Sequence, residues 1–224
     1  MKLALFDLDG TLLPTDSDHA FGEFMVEIGW VDAAGWRARN DEFYAQYQAG
    51  TLVLAEYLDF ATSAWRGRPL AEAEAARERF MHEVIGPQLQ PIAKALVAGH
   101  LQAGDLVAVV TATNEFVTAP IARTFGVEHL LAVELERDDN GLFTGRAVGV
   151  PTFREGKVTR VEAWLAAMDR RWADFDDVLF YSDSTNDLPL LERVTTPIAT
   201  NPTPALEAIA LERGWRILKL FETP

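Results

Sequence analysis

Apolar positions fall along this chain in two rhythms. Short strand-like runs stand at Leu3 to Leu8, Leu106 to Val110, Leu130 to Glu134 and Val178 to Tyr181, with weaker ones at Pro197 to Thr200 and Trp215 to Leu218. Between most of them the spacing is that of a helix, over Pro91 to Ala103, Glu115 to Phe125, Val158 to Asp169 and Pro204 to Glu212. The second half therefore alternates strand and helix, which predicts an α/β fold with a parallel, doubly wound sheet. One interval breaks the alternation. From Ser17 to Ile85 the pattern is helical throughout, carrying Phe21, Phe24, Met25 and Ile28, then Phe43, Tyr44 and Tyr47, then Leu54, Tyr57 and Leu58. About 70 residues are too many for a crossover and predict a small helical domain inserted after the first strand. The expected boundaries are residues 16–85 for the insert and 1–15 plus 86–224 for the core, with Gly86 and Pro87 marking the return. AEAEAARERF reads as the wet face of an insert helix, and Trp30, Trp36 and Trp65 as its core aromatics. Asp138 to Gly145, DDNGLFTG, predicts a β-hairpin turned at Asn140-Gly141.

Composition narrows the functional classes. At 224 residues, 49% apolar and 24% charged, the chain should fold as an ordinary globular protein. A net charge of −14 disfavours nucleic acid or an anionic membrane as partner, so an anionic substrate needs local positive charge. The lack of cysteine removes disulfides, thiolate metal sites and thiol nucleophiles, and fits a reducing cytoplasm. The start LALF is too short for a signal-peptide core, and no run approaches the ~20 apolar residues of a membrane span. A soluble, cytoplasmic protein is the expectation.

Against that background the stretch DLDGTLLPTDSDH concentrates four aspartates in thirteen residues directly after the first strand. Ligands of a doubly wound sheet bind beyond the carboxyl ends of its strands. Asp7 and Asp9 lie there, two apart in extended chain, so both side chains can face one crevice. Their repulsion is tolerable around a hard cation such as Mg²⁺, which takes one or two carboxylates, substrate phosphate and waters. The strand Val178 to Tyr181 delivers a second acidic pair in SDSTND, Asp183 and Asp187, which share a face if Ser184 begins a helical turn. LVAVVTATN brings Thr111, with the amides from Ala112 onward at an expected helix start, suited to a phosphate oxygen. Lys157, in FREGKVTR, stands at an expected helix start and can offset charge on a transferring phosphoryl group.

DLDGT, the Thr111 strand end, Lys157 and DSTND, in that order, together with the helical insertion, resemble the haloacid dehalogenase superfamily of phosphatases. The likeness is strongest to the subfamily that includes phosphoserine phosphatase, and it covers essentially the whole chain. It implies that Asp7 is a nucleophile forming an aspartyl phosphate and that Asp9 is the general acid and then the base. It also implies that Asp183 completes a Mg²⁺ site with Asp7 and the Asp9 carbonyl, and that Asp187 orients either the metal's waters or Lys157. Asn186 matches a substrate-side position, and the insert matches the helical cap. His19 reads either as a surface or capping residue or as a substrate contact.

Phosphoserine phosphatases hold the amino acid with a cap glutamate and an arginine. Asp16 matches the first, but alignment through QAGTLVLAEYLDFA puts Ala61 at the second, so the carboxylate clamp is missing unless Arg66 or Arg68 replaces it. Asp16, Asp18 and Glu23 at the cap entrance favour a cationic, uncarboxylated leaving group such as an amino alcohol. Starts resembling FDLDGTLLPTDSDHAFGEF are associated with histidinol phosphate hydrolysis, which makes that small-molecule phosphomonoester the first expectation. Phosphoserine, phosphoryl transfer to an alcohol, and non-catalytic binding on the same fold are the alternatives. Oligomeric state is not readable.

Overall fold

The computed structural model describes residues 1–221. Its main sheet joins β1 (Leu3–Phe6), β2 (Leu106–Asn114), β3 (His129–Val133), β6 (Val178–Ser182), β7 (Thr196–Thr200) and β8 (Arg216–Leu218). The order is β3-β2-β1-β6-β7-β8, and every neighbouring pair is parallel. A two-stranded antiparallel sheet of β4 (Leu135–Arg137) and β5 (Phe143–Ala147) supplies the expected hairpin, with Gly141 at φ +79° in its turn. The strand order reverses between β1 and β6, which opens a crevice at their carboxyl ends.

Successive residues of β1 point to opposite faces, and each face has its own cluster. Ala4 and Phe6 join the apolar side of α1 (Ser17–Glu27), α4 (Leu70–Phe80), α6 (Pro91–Gln102) and α7 (Glu115–Thr124). Leu3 and Leu5 pack with α8 (Glu155–Ala167), α9 (Leu188–Leu191) and α10 (Pro204–Arg213). The interval after β1 is helical, as its pattern predicts: α1, α2 (Ala33–Gln48), α3 (Leu54–Ser63) and α4, followed by a π-helical turn Met81–Ile85 and the short α5 (Gly86–Gln88). In α4 the residues Ala73, Ala76 and Phe80 face inward, and the charged ones between them face water.

Two expectations need correction. Trp65 does not fill a core private to the insert: it stacks on Phe116 of α7 at 4.4 Å between ring centres and meets Phe143 of β5 edge-on at 4.8 Å. It therefore fastens the insert to the rest of the chain. The β2 strand also runs on through the polar residues after Val110 to Asn114, with a shift of register, so Thr111 and Ala112 lie in strand rather than at a helix start.

Candidate active site

The crevice at the ends of β1, β2 and β6 collects most of the expected residues. Asp7 follows β1 directly and is buried. Its Oδ1 accepts a 2.7 Å bond from Lys157 Nζ, and the same ammonium donates at 2.7 Å to Asp187. Lys157 sits in the first turn of α8 and has no exposed surface. Burial works against its charge, but Asp187 and Asp7 overcome that and hold its pKa above the ordinary lysine value. Asp187 closes the knot by accepting from Ser182 Oγ at 2.7 Å. Burial pushes Asp7 up to about 7 against the pull of Lys157, with Asp187 adding to the rise.

Asp9 is held differently. Its two oxygens accept from the Ser17 amide at 2.7 Å and from Thr113 Oγ1 at 2.9 Å, while burial and then Asp16 raise it to about 7. Gly10 turns the chain at φ +73°, and a Cβ there would stand 2.4 Å from Asp183 Oδ2, so only glycine lets the loop pass so close. Asn201 supports that loop by donating to the Gly10 and Thr11 carbonyls at 2.9 and 3.2 Å. Asp183 takes a 3.1 Å bond from Thr11 Oγ1, and burial, with Asp7 and Asp187 nearby, raises it well above the usual carboxylate range.

Among the described residues no three acidic or histidine side chains gather as a metal cluster. The magnesium set needs only two carboxylates and a backbone carbonyl. The donor chemistry fits such an ion: Lys157 is committed to Asp7 and Asp187, which leaves the partly buried Asp183 beside them with a hydroxyl but no cation of its own.

A cavity opens on Asp7, Asp9, Thr111, Ala112 and Thr113. Its far walls carry Asp16, Asp18, His19 and Asn40 and the rings of Phe43, Tyr44, Tyr47, Tyr57 and Phe153, with no arginine or lysine among the described residues lining it. Asp16 caps α1 by accepting the His19 amide at 2.8 Å, and burial raises its pKa to about 6. Burial likewise raises Asp18 to about 7 against the opposing influence of Tyr57, and Asn114 donates to it at 3.2 Å. The His19 ring reaches Asp41 at 2.9 Å while still bordering the cavity. Asn186 lies outside the lining residues, its amide engaged with Tyr47 and Arg154. Thr111 accepts from the Thr113 amide at 3.1 Å.

Neither candidate for the missing clamp reaches the cavity. Arg66 is bonded to Asp59 and the Thr144 carbonyl, and Arg68 to Glu72 and Ala64 while stacked on Trp30. Glu23 is likewise turned away, paired with Arg37. Thr113, Asn114 and Arg154 were not expected at the site, and Tyr57 was expected only as an apolar helix position. The polar run TATN offered a signal for the first two, because a strand continued through it aims Thr113 at Asp9.

A parallel sheet whose reversal point gathers carboxylates around one buried lysine, beneath a walled cavity, has the build of an α/β enzyme with its ligand site at the switch point. The profile of the haloacid dehalogenase-like hydrolase family matches residues 4–192, and the chain belongs to that family as a phosphatase. It is 41% identical over 217 residues to a histidinol-phosphatase of Neisseria meningitidis, covering 97% of this chain and 98% of that one. It is 33% identical to the phosphoserine phosphatase SerB1 of Mycobacterium tuberculosis, over 96% of this chain and 69% of that one. Among solved structures, a Bordetella pertussis protein of unknown function superposes with a TM-score of 0.93 at 51% identity, covering 98% and 99%. A substrate-bound phosphoserine phosphatase shares the fold, with a TM-score of 0.69 at 19% identity, covering 97% and 92%.

Proposed function

We propose that the chain hydrolyses the phosphomonoester of a small amino alcohol, histidinol phosphate first, through a phosphoryl group carried on Asp7. The observation that carries the choice of substrate is the cavity wall: Asp16, Asp18 and five aromatic rings, with no arginine or lysine among the described lining residues. Such a wall suits a cationic, partly aromatic leaving group and offers a carboxylate no arginine or lysine. The extent of the likeness to the Neisseria histidinol-phosphatase supports the same choice.

The chemistry divides between two aspartates. Lys157 holds Asp7 Oδ1, which leaves Oδ2 to attack phosphorus as the ester P–O bond breaks. Asp9, fixed by Ser17 and Thr113, gives its proton to the departing alkoxide, and its elevated pKa suits it to carry one. Water then attacks the phosphoryl group, Asp9 takes the water's proton, the acyl phosphate bond breaks and Asp7 is restored. The Lys157 ammonium offsets charge on the phosphoryl oxygens, and the strand-end groups of Thr111 and Ala112 face the same corner. Asp7, Asp183 and the Asp9 carbonyl would hold Mg²⁺, which when bound neutralises charge on the transferred group. Helices α1 to α4 act in this scheme as a cap that walls the leaving-group side.

Phosphate release from histidinol phosphate, phosphoserine and a neutral ester, each with Mg²⁺, tests this. The expected kcat/KM for histidinol phosphate is at least about tenfold above that for phosphoserine, a difference of about 1.4 kcal/mol. Equal values, or a phosphoserine preference, would sink the assignment.

A further inference from the structure

Arg154 takes no part in the chemistry above, yet its backbone stands at φ 51° and ψ −122°, a conformation costly to a residue with a Cβ. The guanidinium spans two parts of the molecule. It donates to the Gly50 carbonyl just past the end of α2, and its Nε lies 3.4 Å from Asn186 Oδ1 in the loop after β6. Asn186 donates in turn at 2.9 Å to the carbonyl of Tyr47, in the last turn of α2. Carbonyls at a helix C-terminus lack helical partners and carry partial negative charge, so a forked cation and an amide are well matched to them. The guanidinium also lies 4.9 Å from the centre of the Phe153 ring, which with Tyr47 walls the cavity. Arg154 immediately precedes α8, and its carbonyl accepts the Lys157 amide at 3.0 Å.

We propose that Arg154 is a positioning residue: with Asn186 it clamps the end of α2, and so Tyr47, over the phosphoryl corner, and thereby sets affinity for esters large enough to reach that wall. It touches no reacting atom. The proposal rests on the placement of the reaction at Asp7, but not on which ester is the substrate.

The test is Arg154→Gln, with Arg154→Lys as a milder second variant. Amide hydrogen exchange at Gly50 and Thr51, whose N–H groups bond the Tyr47 and Gln46 carbonyls, needs no substrate. In Arg154→Gln it should quicken by about tenfold or more, since a charge-assisted tie to that turn is lost. For the best ester of the wild-type screen, kcat/KM should fall about 10- to 100-fold, mainly through KM. Acetyl phosphate, too short to reach α2, should stay within about threefold. Arg154→Lys should fall between, because an ammonium lacks the fork. Unchanged exchange at Gly50 and Thr51 would overturn the clamp whatever the substrate, and an equal loss on both donors would overturn its role in affinity. A failed choice of substrate would show separately, in the wild-type screen.

Discussion

Replacing Lys157 by methionine removes one ammonium from between two carboxylates while keeping most of the buried volume. Nζ lies 2.7 Å from both Asp7 and Asp187, and the lysine has no solvent exposure. Breaking a buried pair by removing one partner costs about 3–5 kcal/mol, because the surviving charge keeps its desolvation penalty. For a protein of this size each kcal/mol moves Tm by about 2–4 °C, so the fall should be about 6–20 °C at neutral pH. Asp7 should also be harder to ionise, since Lys157 is what opposes the effect of burial on it. Turnover should drop by about 10²- to 10³-fold or more, the scale seen when one charge-stabilising donor is lost. Adding Asp187→Asn relieves one stranded charge, so the double variant should regain part of the Tm loss but none of the activity. Thermal melts and phosphate-release kinetics on the three variants check this. An unshifted Tm, or turnover within about tenfold of wild type, would refute the electrostatic argument.

Asp16→Asn keeps an effective helix N-cap while deleting a charge from the cavity wall, so the kcat/KM preference for an amine-bearing over a neutral ester should fall about tenfold, beyond any change both share through Asp9, whose pKa Asp16 helps to raise; an unaltered preference would contradict this. Gly10→Ala forces a Cβ toward Asp183 Oδ2 at φ +73° and should raise the Mg²⁺ concentration for half-maximal activity, read from a metal titration, while costing about 1–3 kcal/mol of stability; an unaltered titration would count against Asp183 as a ligand. At the other end of the sheet, burial tends to raise Asp105, but bonds from His100 and the Lys2 amide hold its pKa below the ordinary carboxylate value. The stability it adds is therefore present above about pH 4 and is lost as pH falls through the lower folded value. Urea unfolding of Asp105→Asn should show a deficit of about 1 kcal/mol at neutral pH that shrinks below pH ~4, and a deficit that grows there would reverse the sign.

The sheet was legible because each buried strand is a short apolar run ended by a change of chemistry. Asp7 and Asp183 follow such runs directly, at the two strands flanking the reversal of strand order. Lys157 was legible through its order in the chain, but its burial between two aspartates was not, since a lysine in a first helical turn looks solvent-exposed. The reach of β2 to Asn114 was hidden because TATN lacks the apolar character that announces a buried strand, and Thr113 and Asn114 went unseen with it. Tyr57 and Trp65 show a different gap: helical period gives which residues share a face, but not whether that face meets the insert or the sheet. Arg154 carries no local signal, because no glycine marks its positive φ and the partners of its guanidinium lie in distant parts of the chain.

The proposed mechanism turns on Asp7 as the residue that carries the phosphoryl group. With an ester whose leaving group departs without a proton, such as p-nitrophenyl phosphate, Asp9→Asn should leave the first half of the reaction working and stall the second, because the water lacks its base. Acid quenching of that variant after a single turnover of a labelled ester, followed by peptide mapping, should place the label on the peptide containing Asp7. Label on another residue, or free phosphate released with Asp7 never modified, would contradict the central claim.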